Sequence, residues 1–315
     1  MALTMAPSRP GTAALVAAFA AVYVIWGSTY LAIRFAVESL PPFLMASSRW
    51  IVAGVALYLW RRAAGDARPA LLHWRSAAIV GALLIVGGNG LVSWAEQTVE
   101  SHLAALLVAI VPVYIALLSW GATGARPGWR TLAGIVLGLA GVAVLVLPGF
   151  LSAQGATVTA WGLLAVLLAS FLWSTGSLYS RKAPLPASPL LGASMEMIAG
   201  GVLLAVVGLA RGEASHVDLA AVSARSWIAL AFLALFGSVV AYSAYVWLLK
   251  VSRPELVATY AFVNPIVAVA LGVVLAGEAV SGATLLAAAL IVAAVAIVVT
   301  SPAPRGPAEP PAVAE

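Results

Sequence analysis

Ten apolar stretches occupy almost the whole chain, at about residues 12–33, 43–60, 77–94, 103–121, 132–147, 160–179, 190–209, 227–249, 256–276 and 283–300. A helix needs about 20 mostly apolar residues to cross the hydrocarbon of a bilayer, and each stretch is of that order. The connectors, such as 61–75 and 126–130, are short and rich in Gly, Pro and charge, so no independent soluble domain can fold between them. The supply of charge agrees: 9% of the 315 residues are charged and 63% are apolar, against about 25% charged in an ordinary soluble protein. So little polar surface cannot cover so much apolar volume in water. The expected fold class is an all-α integral membrane protein of ten transmembrane helices, with its function inside the membrane region.

Several chemistries fall away at once. Cysteine is absent, which removes disulfides, iron–sulfur sites and thiolate nucleophiles. His73, His102 and His216 have no ligand spacing, so no metal and no cofactor is expected. An aspartyl dyad needs two aspartates within the membrane, and the only two, Asp66 and Asp218, lie in connectors. A serine nucleophile needs a nearby base, and no histidine lies deep in a stretch. The chain is therefore not expected to be an enzyme.

The net charge of +5 reports orientation, not a nucleic-acid partner. With the amino terminus inside, twelve of the 16 Lys and Arg fall on the cytoplasmic side: Arg9, Arg61, Arg62, Arg68, Arg75, Arg126, Arg130, Arg181, Lys182, Lys250, Arg253 and Arg305. Only Arg34, Arg211 and Arg225 fall outside, and Arg49 lies within a span, a distribution that follows the positive-inside rule. Both termini are expected in the cytoplasm. Despite the small residues around Ala18-Phe19-Ala20, the first stretch stays apolar through Trp26-Gly27 and is expected to be a retained span. Residues 301–315, with five prolines, read as a disordered cytoplasmic tail.

The two halves repeat. A shift of 147 places Trp26 on Trp173, Arg34 on Arg181, Gly54 on Gly201 and Leu57 on Leu204; a shift of 153 places Trp94 on Trp247, Pro112 on Pro265 and Thr131-Leu132 on Thr284-Leu285. Five spans per copy force the copies, residues 12–149 and 157–300, into opposite orientations. Such inverted repeats are the usual construction of secondary transporters, with the substrate site near the midplane between the copies.

The few polar residues within the spans fall on helix faces. Tyr23, Gly27, Tyr30 and Arg34 share one face, as do the repeat-related Ser170, Ser174, Ser177 and Arg181; Asn89, Ser93 and Glu96 share another, as do Ser238, Tyr242 and Tyr245, while Tyr260 and Asn264 lie one turn apart. These faces are expected to converge on a central cavity bordered by Trp26, Trp94, Trp173 and Trp247, binding a small polar solute through Trp26, Tyr30, Arg49, Asn89, Ser93, Trp94, Ser174, Glu196, Tyr242, Tyr245, Trp247, Tyr260 and Asn264. Interhelical hydrogen bonding and interfacial anchoring are the plainer fates of such residues. Arg49 and Glu196 occupy equivalent sites, 147 apart, Arg49 toward the outside and Glu196 toward the inside. Arg49 either attracts a solute carboxylate or snorkels to the outer interface; Glu196 either binds an ammonium or a proton, or is buried against a hydrogen-bond partner. Pro112 and Pro265, at equivalent mid-span sites, are expected to kink both helices as hinges. Gly134, Gly138 and Gly141 suit close helix packing.

The run Trp26-Gly27-Ser28-Thr29-Tyr30 with Arg34, the second-span Arg49, the Pro112 span followed by Gly134 and Gly138, and Asn264-Pro265 with Gly277-Glu278 together resemble the EamA-type permeases of the drug/metabolite transporter superfamily. The resemblance covers about residues 12–300. It departs at Gly124-Ala125, where the first half lacks the Gly-Glu pair that often closes the fourth and ninth spans of such proteins. The resemblance implies a ten-helix carrier of the bacterial inner membrane, commonly an exporter of amino acids or related small metabolites; a monomer and a homodimer are both open. A lipid or lipid-linked carrier flippase, or a membrane scaffold without transport, is the alternative. The partners expected are a small-molecule solute and the lipid bilayer.

Overall fold

In lipid every backbone amide and carbonyl must find its partner within the protein, and the long Ala, Val and Leu runs do so as helices. The computed structural model describes residues 11–99, 101–152, 160–276 and 282–302. Gly277, Glu278 and most of the tail lie outside the described residues. The helices are α1 (Thr12–Val37), α2 (Pro42–Ala63), α3 (Leu71–Ala95), α4 (Ser101–Val108), α5 (Val111–Thr123), α6 (Trp129–Ser152), α7 (Ala160–Lys182), α8 (Pro189–Ala210), α9 (Ala224–Val251), α10 (Pro254–Val257), α11 (Tyr260–Ala276) and α12 (Gly282–Thr300). Among the described residues no strand is present. Among the described residues six helices, α1, α2, α3, α7, α8 and α9, are long and apolar enough to cross a membrane, and Val111–Thr123, Trp129–Val144 and Leu285–Thr300 are shorter apolar stretches.

Local chemistry sets the helix ends. Proline opens α2 and α8, where its missing amide costs nothing. Ser188 caps α8 by accepting from the Leu191 amide at 3.4 Å, and Ser223 caps α9 by accepting from the Ser226 amide at 3.1 Å. After α2 and α8 the chain turns through Gly65 and Gly212, with φ of 97° and 76°, a conformation that a side chain disfavours; the two are 147 residues apart.

The most extensive helix contacts join α2 to α8, α3 to α7 and α6 to α12. The first is reciprocal. A Cβ on Gly54 would lie 2.8 Å from Met197 Cβ and 2.9 Å from Ile198 Cγ1, while one on Gly201 would lie 2.8 Å from Ile51 Cγ1 and 3.2 Å from Trp50 Cβ. Under the shift of 147, Gly54 becomes Gly201 and the pair Trp50, Ile51 becomes Met197, Ile198. Gly134 and Gly141 of α6 likewise abut Val298 and Ile291 of α12, and Gly138 abuts Phe262, as expected for packing glycines.

Two features depart from simple α-helical spans. Residues Gly81–Gly90 of α3 and Leu233–Tyr242 of α9 wind as π-helix, a wider form found mostly in short pieces and often at functional sites. The two prolines expected as hinges sit in different local settings. The helix breaks at Ala109 and Ile110, just before Pro112, whereas Pro265 lies inside α11 and the break on that side falls at Ala258 and Thr259. The different breaks mean that proline alone does not decide where these helices open: at Pro112 the ring starts a new helix, where it is tolerated.

Candidate functional site

A cavity of about 80 Å³ lies where helices of both halves meet. From α1 it takes Trp26, Thr29, Tyr30 and Ile33; from α2, Arg49 and Trp50; from α3, Gly88, Asn89 and Val92; from α7, Ala169, Ser170 and Trp173; from α9, Gly237; and from α11, Tyr260 and Asn264. Val108 and Val111 complete the wall. The space suits a few waters and falls far short of the roughly 300 Å³ of small-ligand pockets, so a larger solute can enter only when the helices part.

Its apolar wall is an aromatic cluster centred on a repeat-related pair. Trp26 and Trp173 meet edge to face at 5.4 Å between centroids, and Trp26 also contacts Tyr245 at 4.9 Å and Tyr260 at 5.1 Å. Each indole nitrogen has a partner: Trp26 Nε1 donates to the Gly237 carbonyl at 3.2 Å and Trp173 Nε1 to the Tyr245 hydroxyl at 2.9 Å. Tyr245 is held in turn by Ser177 Oγ at 2.6 Å.

Two hydrogen-bonded pairs occupy equivalent positions, the first on the cavity wall and the second just behind it. In the first half Arg49 Nη2 donates to Asn89 Oδ1, which also accepts from Trp50 Nε1 at 3.2 Å; the guanidinium lies 4.5 Å from the Trp50 ring centre. In the second half the Tyr242 hydroxyl donates to Glu196 Oε2 at 2.8 Å, and Ser180 Oγ donates to Oε1 at 3.4 Å. Arg49 maps onto Glu196 and Asn89 onto Tyr242. Trp50 packs edge to face on Tyr242 at 5.0 Å and so joins the pairs. Arg49 is 3% exposed and Glu196 wholly buried.

Of the expected binding residues, Trp26, Tyr30, Arg49, Asn89, Tyr260 and Asn264 line the cavity. Ser174 donates to the Ser170 carbonyl at 2.8 Å, Glu196 and Tyr242 bond each other, and Tyr245 supports Trp173; these stand behind the wall. Ser93 is buried, and among the described residues its hydroxyl has no partner. Trp94 and Trp247 depart from the expectation that they border the cavity. Trp94 lines a cleft with Pro42, Gln97, Arg211 and Glu213, and Trp247 lines another with Leu57, Arg61 and Ser188. Each lies five residues beyond its cavity-level neighbour, Asn89 or Tyr242, and about 7 Å of helix rise carries it toward its helix end.

Two connector carboxylates, Glu213 and Asp66, have structural roles that the sequence pattern of apolar and polar faces does not reveal. Glu213, in the short turn Glu213–His216, accepts the Phe43 and Leu44 amides at 3.2 and 2.9 Å, and so caps α2 from the other half of the chain. The signal was present: Pro41, the residue preceding α2, offers no side-chain acceptor, which leaves those amides to find one. Asp66, which maps onto Glu213 under the shift of 147, accepts from Arg61 Nε and Nη2 at 2.9 and 2.8 Å. These hydrogen bonds, with a further one from the α8 cap Ser188, hold its carboxyl below the usual aspartate range.

Comparison with known proteins places this architecture. The model of the EamA-like transporter family matches residues 12–147 and 160–300. An Escherichia coli K12 protein named "Uncharacterized inner membrane transporter YedA" is 40% identical over 271 residues, 85% of this chain and 84% of its own. The "Probable terminal-alkyne amino-acid exporter" of Streptantibioticus cattleyicolor is 32% identical over 142 residues, 45% of this chain and 47% of its own. A crystal structure at 23% identity superposes with a TM-score of 0.72, covering 91% of this chain and 97% of that one, which speaks to the fold.

Proposed function

Because the chain belongs to the EamA-like transporter family, we propose that it is a secondary carrier of ten membrane-crossing segments, arranged as two inverted five-helix repeats of residues 12–149 and 157–300. It exports amino acids or related small metabolites from the bacterial cytoplasm by alternating access around the central cavity, with both termini inside. The observation that carries this reading is the pair of equivalent contacts, Arg49 with Asn89 on the cavity wall and Tyr242 with Glu196 just behind it. One relation from each half, made by the same two spans, is what a carrier that exchanges the conformations of its halves requires. The reciprocal glycine contacts of α2 and α8 and the facing Trp26 and Trp173 support the same two-fold relation. The export of amino acids is supported by the name of the Streptantibioticus cattleyicolor relative, over part of the chain.

In this reading Pro112 and Pro265 flank the moving elements as hinges, and the cavity opens to each side in turn as the halves rock. The direct test is counterflow in proteoliposomes loaded with a metabolite panel. Exchange of amino acids, with no movement of fluorescent phospholipid, is the expected result; lipid movement without solute exchange supports a flippase, and neither supports a scaffold.

A further inference from the structure

The cavity leaves particular atoms without partners. Among the described residues, the buried side-chain atoms that take no hydrogen bond include Arg49 Nε, Asn264 Oδ1 and both carboxylate oxygens of Glu96. These residues are 3%, 1% and 4% exposed. A buried carboxylate with neither oxygen bonded is strongly unfavourable, and such a group calls for an explanation. Among the described residues, the two other buried glutamates show how the chain meets that need: Glu196 is bonded by Tyr242 and Ser180, and Glu213 by two amides.

Glu96 is not among the residues that line the cavity but stands just beyond them on the same helix. It follows Val92 by four residues and Asn89 by seven, and both of those line the cavity, so the three share one face and Glu96 continues it about 10 Å further along. It interacts electrostatically with Arg34 and Arg49, yet no ion pair joins it to either among the described residues. Repeat symmetry does not call for it either, since the residue 153 positions later is Leu249. The cavity thus holds a guanidinium with a free N–H, and at its edge stands a free carboxylate, with the free carbonyl oxygen of Asn264 also on the wall.

We infer that Glu96 and Arg49 are the two ends of a subsite for a zwitterion, in which the solute's ammonium is taken by Glu96 with Asn264 Oδ1 and its carboxylate by Arg49 Nε. The inference rests on the carrier reading above and adds to it a cation-recognising residue. A solute with both groups satisfies every free atom named; one lacking its ammonium leaves Glu96 buried and unpaired.

The test uses the full-length protein in proteoliposomes, first with an equimolar mixture of the twenty protein amino acids in counterflow. The amino acid exchanged best is then competed against its N-acetyl derivative and its decarboxylated amine. Wild-type protein is expected to disfavour both derivatives by at least about tenfold. In Glu96→Gln the penalty on the N-acetyl derivative is expected to fall to within about twofold of the parent, while the penalty on the amine persists. An unchanged N-acetyl penalty in Glu96→Gln, or an equal loss for all three compounds, would overturn the inference and make Glu96 a structural or gating residue. The wild-type measurement decides even if that variant does not fold, because an N-acetyl derivative accepted as well as its parent sinks the ammonium subsite. Wild-type protein that moves no amino acid removes the proposed function itself, and this inference with it.

Discussion

At the residue scale, the carboxylates outside the spans do structural work that can be measured. Glu213 reaches from one half of the chain to cap α2 in the other. Glu213→Ala should lower stability by about 1–2 kcal/mol, read as a lower melting temperature in detergent, and Glu213→Gln should lose less because its amide oxygen still accepts. Asp66 supplies a pH dependence. Its carboxyl titrates below the unfolded value of about 3.9, so its stabilisation is present above about pH 4 and is lost as acid drives the pH down through the lowered folded value. Asp66→Asn should flatten the acid limb of a melting-temperature profile below pH 4 and leave the neutral value closer to wild type than Glu213→Ala does; an unchanged acid limb would count against the Arg61 contact. Individual side chains were legible in the sequence where helix periodicity aimed them at one face. Trp26, Tyr30, Asn89 and Asn264 reached the cavity for that reason. Trp94 and Trp247 did not, because a face says nothing about height along the helix. Glu213 was hidden because its target lies 170 residues away in the chain.

At the scale of the element, the helices were visible as apolar runs because lipid demands self-satisfied backbone, but their internal winding was not. The π-helical stretches of α3 and α9 have no periodicity that a hydropathy pattern would register. They depend on what packs beside them. A Cβ on Gly81, the first residue of one stretch, would stand 2.7 Å from the Gly200 amide and 2.8 Å from the Glu196 carbonyl. Backbone atoms cannot swing aside as a side-chain end can. Gly81→Val should therefore destabilise the protein by about 1–3 kcal/mol through overpacking, whereas Gly128→Val, at a position with open space around it, should leave the melting temperature near the wild-type value. Equal melting temperatures for the two variants would mean that α3 can withdraw from α8 at little cost.

For the whole molecule, the absence of cysteine makes orientation testable with single introduced thiols. The clefts of Trp94 and Trp247 have distinct linings, and the proposed inverted repeats would put them on opposite sides of the membrane. A thiol at Gln97 should react with an impermeant maleimide in intact cells, and one at Ser188 only after the membrane is opened; labelling of both from outside would refute the inverted arrangement. The duplication itself was plain from the shifts of 147 and 153. What those shifts did not reveal was how the copies touch, through the reciprocal contacts of Gly54 and Gly201.

One difference between the copies has an electrical consequence. The equivalent buried positions hold a cationic side chain in one half, Arg49, and an acidic one in the other, Glu196. With the proposed orientation, these groups when ionised form a dipole along the membrane normal, positive toward the outer face. Rocking the halves moves its ends through the transmembrane field, where a full charge crossing is worth about 2.3 kcal/mol per 100 mV. Turnover would then respond to voltage even when the solute carries no net charge.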